Sequence, residues 1–156
     1  MTPNDILRSI RYILNVNDQE MATIANLAGA NIDAKLIDQF LKLEDDPLFK
    51  KCPDVVFSQF LNGLIYHKRG KDESRPALVP ENTVSNNLVL KKLRIAFNLK
   101  DDEMIQTLKK AGQDITKSQL SALFRSSSHV NFCECGDQFL RCLLKGLAPK
   151  TSAPKK

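Results

Sequence analysis

The sequence is 156 residues long and 42% apolar, enough for one domain or two small ones with a buried core, and this excludes an intrinsically disordered chain. Its net charge of +5 is a modest basic excess, and no run approaches the ~20 apolar residues that a bilayer span requires. The opening residues lack the basic head and continuous apolar stretch of a secretory leader, so a cytoplasmic location with no membrane partner is expected.

The charge is unevenly spread: residues 1–65 carry a net −3, residues 66–85 +1, residues 86–148 +4 and residues 149–156 +3. There is no Trp and β-branched residues are scattered, which favours helix over strand. Sliding the chain along itself by 83 residues aligns 4–65 with 87–148 without a gap, and sixteen of the 62 paired positions are identical. Among them are Asn4/Asn87, Leu7/Leu90, Arg11/Arg94, Asp18/Asp101, Phe49/Phe132, Cys52/Cys135, Asp54/Asp137 and Gly63/Gly146. The chain is therefore expected to be all-α, a tandem duplication of a four-helix module. The first module covers 1–65, a charged linker containing Pro and Gly covers 66–85, the second module covers 86–148, and a frayed basic tail covers 149–156.

In chain order, Pro3 suits the opening turn of the first helix, whose apolar stripe is Ile6, Leu7, Ile10, Ile13 and Leu14. Val89, Leu90, Leu93, Ala96 and Phe97 repeat that stripe in the second copy. A second helix is expected to begin with Asp18 or Asp101 as its cap and to end at Gly29 or Gly112. The third follows Asp33 or Thr116, the latter with Gln119 completing a capping box, and buries Leu36, Ile37 and Phe40 or Leu120, Leu123 and Phe124. After a polar loop anchored by Phe49 or Phe132, the fourth helix opens beyond Cys52-Pro53 or Cys135-Gly136. Gly63 and Gly146 lie inside that helix, where glycine costs about 1 kcal/mol against alanine, so a close helix crossing, between the modules, is expected there.

Several constellations invite a functional reading. Arg11 and Asp54 duplicate together as Arg94 and Asp137, which suggests an internal ion pair in each copy, with an anion site as the competing role. His129, Cys133, Cys135 and Cys142 number four, the count of a closed zinc site, but their spacing is poor and Cys52, the twin of Cys135, has no such neighbours. They are read as ordinary free thiols near a helix start, with no metal. Neither histidine is duplicated and no Gly-rich phosphate loop precedes a helix, so no catalytic residues and no cofactor are assigned. The second and third helices resemble a helix-turn-helix, and Lys68, Arg69, Lys71, Lys91, Lys92 and Arg94 form the candidate basic surface for a nucleic acid or another anionic partner. The third helix itself is poor in cations, which leaves a solvated basic face as the plainer account.

Three segments carry a family resemblance: Asn4-Asp5-Ile6-Leu7-Arg8-Ser9, the stretch from Phe60 through Tyr66 into Lys68-Arg69-Gly70-Lys71, and Cys135-Gly136-Asp137-Gln138-Phe139-Leu140-Arg141. From about Asn4 to Ala148 the chain resembles the YehS-type bacterial proteins. The resemblance implies a duplicated domain of unknown function and a cytoplasmic, bacterial setting, and carries over no activity or site residue. The leading functional expectation is a small binding or adaptor module that recognises a macromolecule, foremost a protein, through a groove between the modules. Nucleic-acid binding by the linker and the basic second module is the alternative, and an enzyme with a site between the modules ranks third.

Overall fold

The computed structural model describes residues 1–149, and among these it contains eight helices and no strand. They are α1 (Pro3–Leu14), α2 (Asp18–Asn26), α3 (Ala34–Leu41), α4 (Asp54–Arg69), α5 (Asn86–Ala96), α6 (Asp101–Lys110), α7 (Lys117–Leu123) and α8 (Asp137–Leu147). The tail expected to fray lies, from residue 150 onward, outside the described residues. Helix α4 continues through Arg69, so residues 66–69 belong to a helix and not to the linker. Nothing between Tyr66 and Arg69 breaks it. Gly70, at φ +82°, is the residue that ends it, and Lys68 and Arg69 carry their positive charge at the favourable end of the helix dipole.

The caps correct one expectation. Asp18 and Asp101 are the first helical residues of α2 and α6, while Asn17 and Lys100 occupy the cap positions. The Asn17 side chain accepts from the Glu20 amide at 2.8 Å, and Glu20 and Glu103 reach back to the amides of residues 17 and 100. This frees both aspartates to meet an arginine from the preceding helix. Arg11 lies 3.1 Å from Asp18 and Arg94 lies 2.5 Å from Asp101. The same arginines donate through Nε to the loop carbonyls of Val16 and Leu99. The expected Arg11–Asp54 and Arg94–Asp137 pairs do not form, because each arginine is already engaged across its own α1–α2 or α5–α6 turn. Asn15 and Asn98 close those turns in the left-handed region, at φ 55° and 53°.

A duplicated amide ties each module together. Asn4 is 1% exposed; its Nδ2 donates to the carbonyls of Phe40 and Lys50, and its Oδ1 accepts from the Cys52 amide. Asn87 makes the same three bonds to Leu123, Cys133 and Cys135. The first helix thereby fixes the end of the third and the irregular segment before the fourth. In that segment the Lys50 amide donates to Gln39 and its twin, Cys133, to Ala122. Leu7 and Leu90 are both buried and Phe49 and Phe132 are both half-buried, as equivalence of the copies requires.

Gly63 and Gly146 do sit at close helix crossings, but within each module and not between modules. A Cβ on Gly63 would lie 1.9 Å from the Ile24 carbonyl oxygen of α2, and one on Gly146 2.1 Å from the Thr107 oxygen of α6. The backbone approach of α4 on α2, and of α8 on α6, requires a residue without a side chain.

Two outcomes follow from this packing. Gly63→Ala should destabilise the protein by about 3 kcal/mol in urea titration although alanine is the better helix former, because overpacking against backbone outweighs propensity. Asn4→Ala should cost about 3 kcal/mol by orphaning three main-chain groups, and Asn87→Ala less, since Asn87 is only half-buried and water can replace part of its role.

Candidate functional site

The two copies meet through an exchange of helices. α4 of the first copy packs on α5 of the second, and α8 of the second packs on α1 of the first, so each fourth helix lies on the other copy's first helix. Residues of both copies share one continuous apolar core. The duplicated aspartates bridge these seams. Asp54 Oδ2 accepts from the Val84 amide at 2.9 Å, and Asp137 Oδ2 lies 2.6 Å from the amino group of Met1, the position 83 residues before Val84. The hydrogen bond from that amino group, joined by one from Asn86, holds the Asp137 carboxyl below the usual range.

The seams differ in what covers them. Over α4 and α5 the linker turns back and runs antiparallel to α4: Leu78 donates its amide to the Tyr66 hydroxyl, Glu81 meets Ser58, and Val84 meets Asp54. Residues 78–81 run along the seam without a turn, and the chain bends at Asn82 and Thr83 before Val84 reaches Asp54. Ser58 and Asn62 are fully buried beneath them. The Glu81 carboxylate accepts from the Ser58 hydroxyl at 2.5 Å and lies 3.1 Å from Lys92 Nζ, which also donates to Asn62 Oδ1. Burial pushes the Glu81 carboxyl up, but these two partners together outweigh it and hold it below its ordinary value.

The α1–α8 seam has no such strap among the described residues. It forms an open groove of about 420 Å³ whose walls include Arg8, Tyr12, Ile13, Arg141, Leu144 and Lys145. Tyr12 is 54% exposed there. Arg8 is held by Asp5 and by the Lys42 carbonyl, whereas Arg141 and Lys145 are exposed and form no ion pair among the described residues. Neither was singled out from the sequence. Their twins, Ser58 and Asn62, are uncharged, so the comparison of copies that exposed the repeat gave no signal at these positions.

The residues proposed from sequence as a basic surface do not act together. Lys92 is 7% exposed and spent on Glu81 and Asn62, while its neighbour Lys91 is exposed. Arg94 is bound to Asp101 and to the Leu99 carbonyl and lies over the Phe124 ring at 4.6 Å. Lys68 stands over Phe97 and Lys71 over Tyr66. Arg69 is exposed at the end of α4. On the third helices, Lys42 is paired with Asp38 and Lys117 with Asp102, so neither presents a row of uncompensated cations. Among the described residues no group of three His, Cys, Asp or Glu side chains gathers in a metal-holding arrangement. All four cysteines are free; burial pushes the Cys52 thiol up to about 12 and the Cys135 thiol up to about 11, which makes both poor nucleophiles.

Lys92→Met should therefore destabilise the chain by about 1–2 kcal/mol in urea titration, an amount kept small because Glu81 is partly solvated. The same variant should speed proteolysis in residues 70–85 by loosening the strap, and Lys91→Met should change stability by less than about 0.5 kcal/mol.

The comparisons with known proteins repeat the internal duplication. The family described as protein of unknown function (DUF1456) matches residues 3–70 and again 86–151. Over 155 residues the chain is 50% identical to the uncharacterized protein YehS of Escherichia coli (strain K12), a match covering 99% of each chain. No solved structure matches. With a family match to each copy and a relative this similar over its whole length, the chain belongs to the DUF1456 family.

Proposed function

We propose that this protein is a small cytoplasmic binding module that recognises a protein partner in the open α1–α8 seam. The observation that carries this reading is the inequality of the two seams. One is closed by the chain's own residues 78–84, and its counterpart leaves at the surface an aromatic side chain and two cations that form no ion pair among the described residues. Exposed tyrosine and arginine beside a partly apolar floor form a composition that protein interfaces favour, because each buries a large contact area while keeping a polar group to orient the partner.

Nothing in the arrangement favours the nucleic-acid alternative to the same degree. Its proposed cations are dispersed, one is buried, and Arg94 is bound within its own module. Replacing Lys91 and Lys92 together would perturb the Glu81 strap as well as any surface charge, and so would not isolate phosphate binding.

The test is a photo-reactive amino acid placed at Tyr12, with the exposed Lys109 as control position, followed by irradiation of cells making the protein. Discrete adducts with protein from position 12, and none from position 109, are expected. Absence of any adduct at position 12 above the control would end the reading, and adducts with RNA or DNA would replace it by the alternative.

A further inference from the structure

The covered seam shows what chemistry the open one is built to take. At the α4–α5 seam the seated group is a carboxylate, Glu81, received by a hydroxyl from the fourth helix and a cation from the first, Ser58 and Lys92. At the twin positions of the α1–α8 seam the same two functions are present with the helices exchanged. Arg141 stands in the place of Ser58 and Ser9 in the place of Lys92, and both line the groove. Lys145 replaces Asn62 and adds a second cation on α8, and among the described residues no acidic side chain lines the groove. Leu144 and Ile13 supply an apolar floor.

We infer that the α1–α8 groove takes a non-helical acidic segment of a partner protein, laid along α8 as residues 78–84 are laid along α4, with one carboxylate between Ser9 and Arg141 and a second near Lys145. This rests on the reading of the seam as a protein-binding site and names the class of segment it selects. Charge argues against the chain's own end as occupant, since residues 150–156 contain three lysines and no Asp or Glu. An acidic segment also complements the second copy, whose residues 86–148 carry a net +4. The fit of a non-helical segment follows from the twin seam, where contacts at Leu78, Glu81 and Val84 hold such a segment along the fourth helix without sheet pairing.

The experiment uses the full chain and a fluorescein-labelled peptide with the sequence of residues 76–84 carrying the changes A77E and N82D. A second peptide, in which every carboxylate side chain is an amide, serves as the neutral probe. Fluorescence anisotropy should show saturable binding of the acidic peptide that weakens as salt rises, and at least a tenfold weaker response for the neutral one. The double variant Arg141→Glu, Lys145→Glu should lower affinity for the acidic peptide by at least tenfold. Both side chains are exposed, and an unchanged urea midpoint would confirm that the variant folds. Equal binding of both peptides, no binding, or binding unaffected by the double variant would overturn the inference. So would a concentration-dependent homodimer that the double variant dissociates, since a second copy would then be the occupant. If the Tyr12 adducts persist while the acidic peptide fails, the acidic class is wrong and the protein-binding seam stands; if both fail, the seam itself is refuted.

Discussion

The constraint on which the rest of the molecule depends is the exchange of helices between the two copies. A four-helix unit of about sixty residues buries too little of its surface to be secure alone, and each copy here leaves the first and fourth helices with apolar faces that its own second and third helices do not cover. Placing α4 on α5 and α8 on α1 covers both faces with one reciprocal operation and joins the copies in a single core. Asp54 and Asp137 reinforce the arrangement by receiving an amino-terminal or linker nitrogen from the other copy. The duplication is held in place by the same residues that were duplicated.

Inside each copy, two small groups permit the helices to approach as they do. A side-chain amide with all three of its strong bonds satisfied by backbone replaces the secondary structure that the segment before the fourth helix lacks. A glycine with no room for a methyl group allows the fourth helix to touch the second at backbone distance. Both features cost conformational entropy or propensity on their own, and both are repaid only in the assembled module, which explains why they occur twice at the same spacing.

The seams started as equivalents and are no longer so. Only one is crossed by a linker, and its polar interior consists of Ser58, Asn62, Lys92 and Glu81, where one carboxylate compensates one ammonium. The other carries Arg141 and Lys145 at the surface, neither in an ion pair among the described residues, with Asp137 one turn away as the acid that acts on Arg141. The exposed Tyr12 beside these two cations is the feature on which the proposed binding role rests, and the covered side has no counterpart to it.

The sequence by itself determined the duplication, the eight helices, the apolar stripes of α1 and α5, the caps at Asp33 and Thr116 and the need for a crossing at Gly63 and Gly146. Each of these follows from local rules: side-chain period, cap chemistry or the cost of glycine in a helix. Tertiary structure alone decided the partners of the duplicated charges. Arg11 and Asp54 recur together in sequence, yet Arg11 takes Asp18 from the adjacent helix and Asp54 takes the Val84 amide across the seam. The burial of Lys92 beside an exposed Lys91, and the placing of Ser9 and Arg141 on the walls of one groove, were equally beyond reach. An ion pair or a groove depends on which surfaces face each other after the chain has folded back, and two copies of one helical pattern carry the same local signals whichever way they are placed.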